Sequence, residues 1–388
     1  MRLAVLVCLA ACSGSGSTPS PDAPPPDAPP PDALPAFLGA PEVLVQGVGV
    51  TNTDCRTAVC GHNENTDLIN FDGATYLVHR TALSQILGPD SSLRVYRTTN
   101  GGASFELRAV LPAPDGRDLR DPCFYVIGDK LALKGLTRLP VVSSRDSDVD
   151  TITVGSTSDD GGMTWTPFAP LGPETWSFWR VKTFGGTYYA GAYEDGDKSL
   201  KLFSSPDGLA WSAGAVIYDV AADTPLEPEL VFMPSGRLLV FFRMDGTDDE
   251  LLGNVGRLRT GVCWAEPPYS SFDCPQVLDG VRLDGPVAFS HQGRLFVIAR
   301  KHLIETAGRK RTALYELGGT LEGGPLTITE LGVFPSAGDT AYAGAADLGG
   351  DQVLTTWYSS NLLLDESWFR GILDASDIWQ TTLDLSRL

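Results

Sequence analysis

Basic side chains are scarce: 29 lysines and arginines stand against 48 aspartates and glutamates, a formal net charge of −19. That balance excludes the clustered cations a nucleic-acid backbone needs, so no nucleic-acid partner is expected. Histidine and methionine occur four times each, and no cysteine–histidine spacing has the form of a zinc site. No glycine loop leads into a helix as phosphate cradles do, and no tight ligand cluster is visible. Neither a cofactor nor a metal is therefore expected. Beyond the first dozen residues no run is apolar enough to span a bilayer, and amphipathic helical periodicity is missing. What remains is 43% hydrophobic residues, spread evenly in short alternating stretches that read as strands.

The chain opens with Arg2, an apolar run from Leu3 to Leu9 and the small residues Ala10 and Ala11, the layout of a secretory signal. Leu9-Ala10-Ala11-Cys12 resembles the lipobox of bacterial lipoproteins. The resemblance implies a signal peptide over 1–11, a lipid on Cys12, and an extracytoplasmic chain anchored at the outer membrane or cell surface. Residues Pro19 to Pro35 repeat Pro-Asp-Ala with extra prolines, which cannot bury a core and favours the extended polyproline form. At ~3.1 Å per residue this tether reaches roughly 50 Å. The expected organisation is 12–36 as lipidated cysteine and disordered tether, and 37–388 as one folded, monomeric unit. In an oxidising compartment, the short-range pairs Cys55–Cys60 and Cys263–Cys274 are expected as disulfides, each stabilising by roughly 2–3 kcal/mol. Cys123, beside Phe124, Val126 and Ile127, is expected as a buried thiol.

A unit of about fifty residues recurs six times. Its clearest parts are a strand–turn–strand such as DLINFDGATYLVHR, CFYVIGDKLALKG, LVFMPSGRLLVFFR or VAFSHQGRLFVIAR. The expected fold is all-β, a six-bladed β-propeller of four-stranded antiparallel blades, in which each sheet buries both faces against its neighbours. The run Pro41 to Gln46 is expected to add an outer strand to the last blade and close the ring, leaving no bare sheet edge there.

Three turns share a pattern: Ser158, Asp160, Gly162, Thr164 and Trp165; Thr98, Asn100, Gly102, Ser104 and Phe105; and the shorter Ser205, Asp207, Gly208 and Trp211. They resemble the Asp-box, or bacterial neuraminidase, repeats of the sialidase family. Short acceptors bond turn amides, glycine permits positive φ, and the aromatic ring locks the turn. Asp160 and Asp207 are therefore structural and not catalytic.

The segment LEPELVFMPSGRLLVFFR places Glu227 sixteen residues before Arg243 and resembles the sialidase segment that ends in the second arginine of a carboxylate-binding triad. Glu229 is the alternative glutamate. DTAYAGAADLGGDQVLTTWY resembles the segment that carries the tyrosine nucleophile, which implies that role for Tyr342, with Glu227 as its base. Asp121-Pro122 resembles a substrate-side pair of the same family. Asp121 is the expected catalytic aspartate, and Asp67 and Asp339 are further candidates for the general acid. Arg80, Arg120, Arg180, Arg243 and Arg300, with Asp67, are the candidate substrate-binding residues, since guanidinium groups hold a carboxylate bidentately. The first arginine of the family's triad has no counterpart between Glu64 and Asp67, and Arg80 is offered in its place. Trp176 and Trp179 are candidate sugar platforms. The resemblance implies an exo-glycoside hydrolase acting on a sialoglycan or other acidic glycan. The alternatives are a non-catalytic glycan-binding propeller, with the same arginines as its receptor for acidic glycans, and an envelope scaffold; in a purely structural role Tyr342 packs against the channel and the arginines balance local acids.

Overall fold

The structure is a computed structural model describing residues 34–388 apart from 86–87, 115, 140–150, 195–197, 247–256 and 304–307. The expected signal (1–11), Cys12 and the tether up to residue 33 lie outside the described residues. Strands dominate because the sequence alternates and turns are punctuated by glycine. Leu238–Met244 shows the logic. Leu238, Val240, Phe242 and Met244 pack with Leu200 and Leu202 of the preceding sheet, while Leu239 and Phe241 pack with Leu295 and Val297 of the following one. Period two thus sends alternate side chains to two different cores. Burying one such side chain contributes about 1.5–3 kcal/mol.

Four sheets are four-stranded and antiparallel, each running outward from an innermost strand: Asp118–Ile127, Trp176–Phe184, Pro225–Phe232 and Asp284–His291. A fifth, eight-stranded sheet contains the innermost strands His62–Phe71 and Thr340–Gly349. Its two halves meet through one parallel pair, His62 with Ser376. Each innermost strand touches the next, and the last returns to the first, so the antiparallel blades form a propeller ring. Glu42–Val45 pairs antiparallel with the C-terminal strand Ser376–Asp384, as expected for the run 41–46. Both expected disulfides are formed, Cys55–Cys60 and Cys263–Cys274, and Cys123 is a buried free thiol.

The three patterned turns bond alike. Ser158 Oγ accepts from Gly162 N at 2.9 Å and Asp160 Oδ1 from Thr164 N at 2.9 Å, while Trp165 Nε1 donates to Gly162 O at 3.0 Å. Ser205, Asp207 and Trp211 repeat this through Gly208 and Ala210, and Thr98 and Asn100 through Gly102 and Ser104. Gly102, Gly162 and Gly208 have φ of +91°, +81° and +75°, a region that costs other residues a Cβ clash. Hydrogen bonds from Thr164 hold the Asp160 carboxyl well below the usual range. An ionised turn acceptor is the structural role expected of it.

Candidate functional site

All six innermost strands slip register at one equivalent place, each leaving two residues off the ladder. The pairs are Asn65-Thr66, Asp121-Pro122, Trp179-Arg180, Glu227-Pro228, Gly285-Pro286 and Tyr342-Ala343. A bulge re-aims the side chains it frees, and proline, lacking an N–H, suits a place where the ladder is interrupted. Asn65, Asp121, Glu227 and Tyr342 have φ of +52°, +48°, +55° and +45°. Left-handed backbone at non-glycine residues costs of order 1 kcal/mol or more and concentrates at functional sites. Asn65, Asp121, Trp179, Arg180 and Tyr342 line one hollow at the ring's axis.

Tyr342 Oη donates to Glu227 Oε1 at 2.5 Å. Glu227 Oε2 accepts from Gly285 N at 2.6 Å, and Arg243 Nη1 donates to Oε1 at 3.1 Å. Burial raises the Glu227 carboxyl above its usual range, against the pull of Arg243. Burial, then the Glu227 charge, pushes the Tyr342 phenol well above 10. The phenol therefore keeps its proton and points it at the glutamate. Arg300 lies 5.0 Å from the Tyr342 ring centre and donates to Asp339 at 2.7 Å, to Tyr358 Oη at 2.9 Å and to Thr340 O at 2.8 Å. The Trp179 ring stands edge-on to Tyr342, 5.7 Å between centres.

The structure does not bring every expected residue to the hollow. Arg80 is completely buried, paired with Glu64 and donating to Asp118 at 2.8 and 3.0 Å. It has no surface to offer a sugar, and departs from the substrate-binding role expected of it. Arg180 donates to Asp67 at 2.5 Å, Ala343 O at 2.8 Å and Pro286 O at 3.2 Å, while Asp67 accepts from Phe124 N at 2.7 Å. These two tie innermost strands together across the axis. Asp339 is buried against Arg300 and Trp368, which leaves Asp121 as the one of the three aspartates that lines the hollow. Glu229 is buried and does not line the hollow, and is bonded to Lys182 at 2.7 Å and to Ala288 N at 3.0 Å. Trp176 is buried against Phe203 and forms no platform.

Arg120 is held loosely: its nearest carboxylate oxygens belong to Asp121, Asp118 and Glu64 at 3.5, 3.8 and 3.9 Å. Glu64 itself is pushed up to about 7 by burial, against Arg80 and Arg120.

Lys134 was not anticipated. Its ammonium lines the hollow and donates to Asp121 O at 2.7 Å, and burial lowers its pKa. The signal was there: in KLALKG, Lys134 falls in phase with Ala132, opposite Leu131 and Leu133. Gly285 was missed too, because a backbone N–H leaves no trace in sequence.

The hollow is small. Its interior measures about 10 Å³, room for a water and not for a sugar ring. Among the described residues, the one cluster of metal-ligating atoms is Cys55, Cys60 and Asp90, whose sulfurs are in a disulfide.

No protein-family model matches the chain, and no curated protein matches it. Solved structures do. A protein of unknown function from Dyadobacter fermentans is 15% identical, with 89% of this chain covering 99% of that one at a TM-score of 0.63. The NanB sialidase of Streptococcus pneumoniae is 10% identical over 89% of this chain and 71% of its own, at 0.65. The leech intramolecular trans-sialidase, complexed with 2,7-anhydro-Neu5Ac, is 11% identical over 88% and 70%, at 0.60. The chain therefore has a sialidase-like β-propeller fold.

Proposed function

We propose that the chain is a retaining exo-glycosidase of sialidase type, acting on a terminal acidic sugar. The observation that carries this reading is the 2.5 Å contact from Tyr342 Oη to Glu227 Oε1. In the first step Tyr342 Oη bonds to the anomeric carbon as the glycosidic C–O bond breaks; its proton passes to Glu227, and Asp121 protonates the leaving oxygen. Water then attacks the tyrosyl glycoside, Asp121 takes the water's proton and Glu227 returns the phenol's. An anionic sugar favours a phenol here, since a carboxylate nucleophile would repel it. Arg243, Arg300 and Arg120, which stand beside Glu227, Tyr342 and Asp121 respectively, are the guanidinium groups assigned to the sugar's carboxylate in this reading. A ring enters only if side chains around the hollow move apart.

The same tightness favours a second reading, a catalytically silent propeller that binds acidic glycans or serves as an envelope scaffold. Arg243 and Arg300 already have protein carboxylates as partners. Turnover of a fluorogenic sialoside decides between them. The first reading expects release by the wild type and none by Tyr342→Phe; an inactive wild type that binds sialyllactose supports the second. Dividing the eight-stranded sheet at the His62–Ser376 pair gives the six blades of this reading, and the three turns are its Asp-boxes. The signal peptide, the lipid on Cys12, the tether and an outer-membrane or cell-surface location belong to the same proposal, as does a monomeric state.

A further inference from the structure

The larger cavities lie at the far ends of the strands. A cleft of about 420 Å³ opens between the ends of His62–Phe71 and Thr340–Gly349, and a neighbour of about 220 Å³ shares Gly101 with it. On Thr340–Gly349, Leu348 lies six residues past Tyr342, roughly 20 Å at 3.3 Å per residue. This groove is a different place from the hollow. Its larger part has the size of small-molecule sites, about 300–1,000 Å³.

The walls are chemically one-sided. Asp72, Asp347 and Glu42 supply carboxylates, and no lysine, arginine or histidine lines either cleft. Anionic ligands are excluded by that charge. Asp72 is exposed, and no hydrogen bond or ion pair among the described residues engages its side chain. In the smaller cleft, on the face shared with Gly102 and Leu354, Gln380 Oε1 is buried without a partner, in a residue that is 9% exposed. Such an orphaned polar atom is costly until something bonds it. Leu348 and Leu354 add apolar wall beside these acceptors. Acceptors for hydroxyl groups, an apolar surface for C–H faces and the lack of cations together describe a polyhydroxylated, uncharged ligand.

We propose that this groove binds a neutral saccharide. The inference stands apart from the hydrolase reading, because it uses no residue of the hollow. Saturation-transfer NMR on the full chain, with lactose, maltose and chitobiose as probes, tests it. At least one probe binds, and Asp72→Gly and Gln380→Met each weaken its Kd by about tenfold, the loss of one hydrogen bond. Glycine accepts the φ of +47° at Asp72, and methionine matches glutamine in length, so both variants fold. Sialoside turnover in the two variants matches that of the wild type, and an inactive wild type leaves the saccharide result intact. The proposal is overturned if no probe binds, if both variants bind as the wild type does, or if calcium alone binds and Asp72→Gly abolishes that binding.

Discussion

Arg80 and Arg243 occupy the same register in different sheets: each pairs across the ladder with the last residue before the bulge, Glu64 in one case and Leu226 in the other. Each also has a glutamate sixteen residues upstream, yet the two glutamates end in different places. The turn of the hairpin 225–244 is one residue longer than that of 62–82. Glu227 therefore falls on the first bulged position and faces Tyr342, whereas Glu64 stays on the ladder, buried between strands with Arg80 and Asp118. Equal spacing along the chain thus yields one acid–arginine pair at the axis and one sealed inside the wall. The first is suited to chemistry and the second to holding neighbouring sheets together.

Substitutions at the two glutamates and at Tyr342 test that contrast. Tyr342→Phe is expected to cut sialoside turnover by about 10⁴-fold or more, and Glu227→Gln by about 10²–10⁴-fold, with urea unfolding close to wild type for both. Equal turnover in either variant breaks the assignment of the axial pair to catalysis. Glu64→Ala is expected to do the reverse. Leaving Arg80 buried beside one fewer carboxylate costs about 3–5 kcal/mol, read as a lower urea midpoint, while the folded fraction keeps its rate.

A third expectation concerns pH. Burial holds His62, His79 and His302 down to about 4, so between about 4 and 6.5 the unfolded chain binds more protons and stability rises with pH. Glu64 works the other way. Its carboxyl is raised to about 7 from 4.5, so the native state binds the extra proton and stability falls as pH climbs across that interval. Glu64→Gln removes the opposing slope, and urea midpoints measured from pH 4 to 7 then rise more steeply than in the wild type. The smallest effect is expected at the rim, where Asp160→Ala loses the amide bonds of one exposed turn and lowers the thermal midpoint slightly without touching turnover.

The turn patterns, both disulfides and the closing strand at 42–45 were legible because each is carried by local residue types or a short spacing, whereas the contact of Tyr342 with Glu227, 115 residues away, was suggested only by the resemblance of two separate segments. The burial of Arg80 and the cross-axis tie from Arg180 to Asp67 were not. Both depend on which strands from distant parts of the chain come to lie side by side. Lys134 was half legible, as a charge in an apolar phase, but nothing local says that its ammonium meets the Asp121 carbonyl.

Alternation and glycine turns by themselves determined that the chain makes antiparallel sheets, since side-chain period and positive φ are properties of neighbours in sequence. Which polar groups reach solvent was decided only by closure of the ring. Six register slips converge on one axis, and a single residue more or less in a hairpin turn moves a carboxylate from the inside of the wall to the hydroxyl of Tyr342, which lines the hollow.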